Sequence, residues 1–140
     1  MRAYIAGPMT GLEHHNFPAF FRAEAFLRAK FPYGVFINPA RLDADGTHVE
    51  IDWDVTDLDR VDWTALSLEM LRLMGVGSIT WETCMKRDNK ALVDMDAIVL
   101  LPGWENSRGA CLENHIATAL GFRRWTLTLT DGVLTELPLA

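Results

Sequence analysis

The chain has 140 residues, 49% hydrophobic and 23% charged, which is typical of a single globular domain with a substantial core. Its net charge of −6, without any cluster of Lys or Arg, argues against duplex nucleic acid as a partner, because neutralising phosphates requires a basic face. No apolar run approaches the roughly 18–20 residues of a membrane span, and the N-terminus enters a strand-like pattern at once, so we expect a cytoplasmic protein without signal peptide or membrane contact.

The first forty residues carry the pattern of strand, loop, helix and strand. Arg2–Ala6 is predicted to be a short strand, followed by a turn-rich loop over residues 7–16. The helical pattern covers Phe17–Lys30, and a second strand over residues 34–38 is expected to end at Pro39. This order predicts two parallel strands joined by a right-handed crossover.

Residues 41–79 form an acidic segment, predicted to be an insertion that acts as a flap or a subunit contact. Its acidic residues are Asp43, Asp45, Glu50, Asp52, Asp54, Asp57, Asp59 and Asp62. A short helix is predicted over residues 64–74, ended by Gly75 and Gly77. The acidic spacing does not fit a calcium loop of the D-x-D-x-D-G type, so a solvated acidic surface is the favoured interpretation.

The rest of the chain alternates helix and strand. The predicted elements are a helix over residues 80–94, a buried strand over 97–101, a helix over 108–120, and strands over 125–129 and 133–137. Asp131 and Gly132 are a two-residue hairpin signal between the last two strands. Together the elements predict one α/β domain over residues 1–140, with a Rossmann/flavodoxin-like, doubly wound, mostly parallel five-stranded sheet. Ligands of such sheets bind outside the carboxyl ends of the strands, where loops 7–16 and 102–107 are expected to meet.

Two carboxylates fall on the apolar faces of the last two predicted helices. Glu113 lies on one stripe, at about 100° per residue, with Ala110, Ile116, Ala117 and Leu120. Asp88 lies on another, with Trp81, Cys84, Met85, Ala91, Leu92 and Met95. A carboxylate on the core-facing side of a helix is costly to desolvate unless it is paired or used. Counting the rise along helix and strand puts both near mid-sheet, so they can share a pocket if their helices lie on one face, which the sequence leaves open.

A pair of buried acids is the chemistry that glycosidic bond cleavage requires. One acts as nucleophile and the other handles the proton, and burial together with neighbouring charges separates their pKa values. Glu24 is a third candidate by the same criterion, among Phe17, Phe20, Leu27 and Phe31. For each of the three, the alternative is a structural acid bonded to a buried backbone group or to an Arg.

Three segments resemble the nucleoside 2-deoxyribosyltransferase-like superfamily. They are Y-I-A-G-P-M at residues 4–9, R-D at 87–88 with A-I-V-L at 97–100, and S-R-G-A-C-L-E at 107–113. The similarity covers residues 2–39 and 80–124 and is closest to small phage-encoded members of unassigned activity, which would place the protein in the host cytoplasm. The superfamily also includes 2′-deoxynucleoside 5′-phosphate N-hydrolases.

The resemblance implies roles for the buried acids. Glu113 corresponds to the nucleophile that attacks the anomeric carbon of the sugar, and Asp88 to the acid that assists the departing base. Tyr4 corresponds to a tyrosine that orients the nucleophile. The implied reaction is cleavage or exchange of the N-glycosidic bond of a 2′-deoxynucleotide through a covalent deoxyribosyl intermediate, without a metal or organic cofactor.

The resemblance also implies a phosphate site, because Ser107 and Gly109 correspond to residues that hold a 5′-phosphate in the N-hydrolases. A helix N-terminus with a free hydroxyl is a ready anion site. The transferases carry an Asp at the position of Ser107, so the Ser favours a nucleoside 5′-monophosphate over a nucleoside. The candidate binding residues are Gly7, Pro8, Met9, Trp104, Ser107, Arg108 and Gly109. For Trp104, base stacking and loop packing stay open, as do phosphate contact and solvation for Arg108.

Several weaker signals complete the sequence analysis. His14 and His15 adjoin the first loop, but no third ligand points to zinc. Cys84 and Cys111 are expected to be reduced thiols, with Cys111 buried. Sharing of sites between subunits in the superfamily implies a homodimer or larger homo-oligomer. Two alternatives to an enzyme remain: a nucleotide-binding or sensor module on the same fold, and a host-interaction protein that uses the acidic segment.

Overall fold

A computed structural model describes residues 1–47 and 58–139 of the chain. Its strands and α-helices, in chain order, are β1 (Arg2–Ala6), α1 (Phe17–Lys30), β2 (Val35–Ile37), α2 (Pro39–Thr47), α3 (Trp63–Gly75), α4 (Trp81–Val93), β3 (Ala97–Leu100), α5 (Arg108–Ala119), β4 (Arg123–Thr128) and β5 (Val133–Leu137). Short 3-10 turns lie at Glu13–Asn16, Leu58–Arg60 and Trp104–Asn106. β1, α1 and β5 have the predicted bounds, and most other predicted elements differ at their ends by a residue or two.

The five strands form one sheet in the order β2-β1-β3-β4-β5. β1 pairs in parallel with β2 and β3, and β3 with β4, while β5 is antiparallel to β4. This arrangement confirms the predicted Rossmann/flavodoxin-like, mostly parallel sheet. The strand order reverses between β1 and β3, which is where ligands bind in such sheets.

The two faces of the sheet carry separate apolar cores because side chains alternate along each strand. Ala3 and Ile5 of β1 face α1, α2 and α3, whereas Tyr4 and Ala6 face α4 and α5. β3 follows the same rule, with Val99 on the first face and its neighbours Ile98 and Leu100 on the second. Helices α4 and α5 therefore share one face, the point that the sequence left open.

The largest departure from the predicted elements is α2. Pro39 begins this helix instead of only ending β2. Asn38 accepts a hydrogen bond from the Ala40 N–H at 2.9 Å, as an N-cap does, and Pro suits the first helical position because its missing N–H would have no partner there. The predicted acidic insertion thus starts as a helix packed on the first core through Ala40 and Ala44.

The acidic segment is not a uniformly solvated surface where it is described. Asp43 is buried at 5% exposure, while Asp45 is exposed. Asp62 caps α3 by accepting a hydrogen bond from the Ala65 N–H at 2.9 Å. Residues 48–57, with four of the predicted acidic positions, lie outside the described residues.

The C-terminal hairpin also differs in detail. β4 begins at Arg123 because its parallel pairing with β3 starts there, opposite Ala97, and the Arg123 side chain also donates hydrogen bonds to Glu136 on β5. Thr128 pairs with Val133, so the connection spans residues 129–132 instead of the two-residue turn predicted at Asp131 and Gly132. Cys111 is exposed, contrary to the buried position expected, and both cysteines are free thiols.

Glu24 is a structural acid bonded to arginines, which the sequence analysis gave as the alternative to a catalytic role. It accepts hydrogen bonds from Arg28 Nε at 2.8 Å, Asn38 Nδ2 at 3.1 Å and Arg41 Nη2 at 3.0 Å. These bonds tie α1 to the boundary between β2 and α2. In the described part of the chain, no helix is long and apolar enough to cross a membrane.

Candidate active site

A cavity of about 590 Å³ opens at the carboxyl end of β1, at the strand-order reversal. It lies between α2 and α3 on one side and α4 with the start of α5 on the other. The two predicted loops meet beside it, since a Cβ on Gly103 would lie 3.3 Å from Pro8 Cγ. Gly7 turns the chain here against β3, where a Cβ would come within 2.9 Å of Leu101 Cβ, so only glycine fits without displacement.

The three residues with predicted catalytic roles line this cavity together. Tyr4 projects from β1, Asp88 from α4 and Glu113 from α5. All three are buried, with exposures of 0%, 7% and 5%. The parallel pairing of β1 with β3 places Tyr4 under the two helices that carry the acids.

The buried acids have strongly shifted proton affinities. Desolvation raises the pKa of Glu113 from 4.5 to about 8, with further increases from Asp88 and Asp43 and an opposing effect from Tyr4. Desolvation also raises the pKa of Asp88 from 3.8 to about 6, while the Arg87 guanidinium holds it down. Burial next to these carboxylates raises the pKa of Tyr4 well above 10. At neutral pH the pair Asp88 and Glu113 therefore holds about one proton.

Two buried polar atoms of this site lack hydrogen-bond partners. Among the described residues, neither the Tyr4 hydroxyl nor Glu113 Oε2 makes a hydrogen bond of normal geometry, although Tyr4 is close enough to lower the pKa of Glu113. Two other buried atoms among the described residues, Asn89 Oδ1 and Trp125 Nε1, also lack hydrogen-bond partners but do not line the cavity. Such atoms are rare in folded proteins and indicate that a ligand or a small movement completes the site.

A third carboxylate, which the sequence did not single out, enters the cavity from α2. Asp43 Oδ1 accepts a hydrogen bond from Arg87 Nη2 at 2.5 Å, and desolvation raises the pKa of this carboxyl. The helical spacing of Ala40, Asp43, Ala44 and Thr47, all buried, was a signal available in the sequence. The predicted end of β2 at Pro39 conceals this helical pattern.

The N-terminus of α5 forms one end of the cavity, through Ser107, Arg108 and Gly109. The Ser107 hydroxyl accepts a hydrogen bond from the Ala110 N–H at 3.2 Å, so its own O–H can donate to a ligand. The first backbone N–H groups of a helix have no intrahelical acceptor, and they point towards such a ligand. Arg108 is exposed, and its guanidinium lies 3.8 Å from the centre of the Trp81 ring.

Gly7, Pro8 and Met9 also line the cavity, as predicted. Trp104 does not: it packs against the core beneath α4 and α5. The wall opposite the acids is apolar and is formed by Phe17, Phe20, Met70, Met74 and Ile79.

The histidines of the first loop stand at the edge of the site. His15 lines the cavity and His14 Nδ1 lies 3.3 Å from Ser67 Oγ on α3. Both residues, and Asn16 after them, have left-handed backbone angles with φ between 51° and 59°. In the described ranges, no three His, Cys, Asp or Glu side chains are grouped to hold a metal.

The chain matches the family model described as Domain of unknown function (DUF4406) over residues 1–62 and 66–124. It belongs to this family. The DUF4406 match includes every residue that lines the cavity and ends before β5. No match was found among curated proteins or among solved structures.

Replacing Glu113 by Gln is expected to stabilise this DUF4406 protein at alkaline pH. The folded chain holds the Glu113 proton more tightly than the unfolded chain, so this contribution to stability is complete below pH 4.5 and lost as the pH rises through about 8. Glu113→Gln should raise the free energy of unfolding at pH 9 by on the order of 4 kcal/mol and change it by about 1 kcal/mol or less at pH 4.5.

Urea unfolding of both proteins at the two pH values measures this difference. Glu24→Gln is the matched control, because its carboxylate is paired with Arg28 and Arg41 and its loss should destabilise the protein at both pH values. Equal stability of wild type and Glu113→Gln at pH 9 would show that Glu113 is adequately solvated or paired.

Proposed function

We propose that this protein cleaves or exchanges the N-glycosidic bond of a 2′-deoxynucleoside 5′-monophosphate. The observation that carries the proposal is the pair of buried carboxylates, Glu113 and Asp88, on one wall of a cavity whose far end is a helix N-terminus. Two acids with separated pKa values suit glycosidic chemistry, and an anion site at the start of α5 suits a 5′-phosphate. The resemblance to the nucleoside 2-deoxyribosyltransferase-like superfamily supports the same roles.

The proposed reaction has two steps with a covalent intermediate. Glu113 attacks the anomeric carbon and forms an ester bond, while the electron pair of the broken N-glycosidic bond goes to the base and Asp88 supplies a proton to it. Water, or a second base, then attacks the same carbon and releases Glu113. In hydrolysis the Asp88 carboxylate takes the proton from the attacking water. No metal or organic cofactor takes part.

The active protonation state requires an ionised Glu113 and a protonated Asp88. In the ligand-free site the higher pKa of Glu113 puts the shared proton on the nucleophile instead. The Tyr4 hydroxyl lacks a partner and can donate to Glu113, which favours its ionised form. Substrate binding would complete this hydrogen bond and move the proton to Asp88 or to the base.

The higher pKa of Glu113 compared with Asp88 also favours a second candidate function, a nucleotide-binding module without turnover. A carboxyl with a pKa of about 8 is mostly neutral at pH 7 and is then a hydrogen-bond donor and not a nucleophile. This candidate predicts binding without release of base. The host-interaction alternative rests on the acidic segment, half of whose acidic residues lie outside the described ranges, and a homo-oligomer stays a prediction from the resemblance.

Incubation with deoxynucleoside 5′-monophosphates and deoxynucleosides should release free base, detected by chromatography. Glu113→Gln should lower this rate by at least about a thousandfold, because a neutral amide cannot form the covalent intermediate. Glu24→Gln, at a residue nearly equally buried but outside the cavity lining, should retain the activity of its folded fraction. Nucleotide binding by calorimetry without base release, with acceptor bases also present, would support the binding module.

The preference for a 5′-phosphate should depend on Ser107. Ser107→Ala removes one donor to the anion and should lower kcat/KM for monophosphates about tenfold relative to deoxynucleosides. It should also cost about 1 kcal/mol of stability through loss of the cap. Asp62→Ala removes a comparable cap from α3, at a residue outside the cavity lining, and should leave the substrate ratio unchanged. An unchanged ratio in Ser107→Ala would place the phosphate elsewhere.

The pH dependence of kcat/KM should be bell-shaped, with apparent pKa values near 6 and 8 that belong to the Asp88–Glu113 pair. Activity falls below the lower value because both acids are protonated, and above the upper value because both are ionised. Initial rates from pH 4.5 to 9.5 measure this profile. Asp88→Asn should abolish the bell shape, and a flat wild-type profile over this range would exclude the shared proton from the mechanism.

A further inference from the structure

Arg87 makes an unusual contact with the residue that follows it in α4. Neighbouring side chains on a helix point about 100° apart and do not face each other. Arg87 Nε and Nη2 nevertheless both donate to Asp88 Oδ1, at 2.9 Å and 2.7 Å. The Arg87 side chain must therefore bend across the surface of α4 to reach Asp88, and helix geometry alone does not favour this conformation.

The anchor for this position is Asp43. Arg87 Nη2 also donates to Asp43 Oδ1 at 2.5 Å, which links α2 to α4 beside the cavity. The Asp43 side chain is 7% exposed and held by its helix, whereas the Arg87 side chain is 36% exposed. Without Asp43 the guanidinium would be free to leave Asp88 for water, which is the ordinary state of a partly exposed arginine.

We propose that Asp43 and Arg87 are positioning residues, in which Asp43 anchors the Arg87 guanidinium on Asp88 and so sets the orientation and protonation of that acid. The catalytic meaning of this arrangement rests on the proposed function, but the arrangement itself does not. Glu113 lines the same cavity, and within residues 1–47 and 58–139 no cation contributes to the shift of its pKa. The two acids thus differ because the Arg87 guanidinium, which α2 anchors through Asp43, contacts only Asp88.

The titratable groups coupled to Asp88 lie on four elements. Asp43 lies on α2, Glu113 on α5, Tyr4 on β1, and Arg87 and Cys84 on α4 itself. His15, in the first loop, acts on Asp43 and lowers its pKa. The Cys84 thiol also contacts Asp43, at 3.8 Å, and is a weak donor that remains protonated because its pKa is raised to about 11. Arg87 is the one cation in hydrogen-bond contact with Asp88 among the described residues.

If Asp43 is removed, anchoring of Arg87 and simple charge repulsion predict opposite changes in the pKa of Asp88. If Asp43 acts only through its charge, its loss should lower the pKa of Asp88, since Asp43 raises it in the wild type. If Asp43 anchors Arg87, Asp43→Ala should release the guanidinium and raise the pKa of Asp88. Asp43→Asn keeps an oxygen that accepts the Arg87 hydrogen bond while losing the charge, so it should lower that pKa or leave it unchanged.

Carboxyl ¹³C NMR titration of aspartate-labelled protein measures these changes directly, with Asp88→Asn to assign the resonance. We expect Arg87→Met to raise the Asp88 midpoint by about one pH unit, a tenfold change in proton affinity, and Asp43→Ala to raise it in the same direction. Arg87→Lys should show a partial increase, because an ammonium lacks the planar fork that reaches both acids. Arg123→Met, which removes an exposed pair with Glu136, is the control and should have no effect.

An unchanged Asp88 midpoint in Arg87→Met would overturn the proposal, and a lower midpoint in Asp43→Ala would overturn the anchoring by Asp43. Near-UV circular dichroism identifies folded variants, and if Asp43→Ala does not fold, Asp43→Ser applies the same test. The titration does not require turnover, so it decides the positioning role even if no base is released. If base is released, the acidic limb of kcat/KM should move with the Asp88 midpoint in each variant.

Discussion

The central constraint in this protein is a buried carboxyl group to which none of the described residues supplies a compensating charge. Glu113 lies on the core-facing side of α5, where desolvation raises its pKa to about 8 and Oε2 has no hydrogen-bond partner among the described residues. Burial of such a group costs free energy that the rest of the fold must offset. Proteins retain groups of this kind chiefly at sites where the altered proton affinity is used.

Glu24 shows what the same fold does with a carboxylate that has only a structural role. It has nearly the same exposure as Glu113, yet it accepts hydrogen bonds from Arg28, Asn38 and Arg41. Asp88 is intermediate, since it has the Arg87 guanidinium but remains in contact with the cavity. Glu24 thus has the most arginine and hydrogen-bond partners, Asp88 has fewer, and Glu113 has the fewest among the described residues. The number of such partners decreases towards the proposed reacting centre.

The location of these acids follows from the strand order. Reversal of the order between β1 and β3 separates the helices above the sheet and leaves space at the carboxyl ends of the strands. The cavity in that space is lined by Asp88 and Glu113 on the side of α4 and α5, mainly by apolar residues on the side of α1 and α3, and by the N-terminus of α5 at one end. The proposed function requires a ligand with an anionic group, a ring with apolar faces and a bond that breaks with acid assistance. A deoxynucleotide has all three features.

The sequence alone determined the alternation of strands and helices, the bounds of β1 and α1, and the choice of Glu113 and Asp88, because periodicity and capping are local properties of the chain. It could not separate these two acids from Glu24, since a helical wheel shows that a carboxylate is buried but not what it meets. It also did not identify α2 or Asp43, and it began β4 too late, because the hydrogen bond from Arg87 to Asp43 and the pairing of Arg123 with Ala97 in β3 join residues distant along the chain. Only the tertiary structure brought α4 and α5 to one face and Asp43 onto Arg87, and these contacts set the charge that each acid carries.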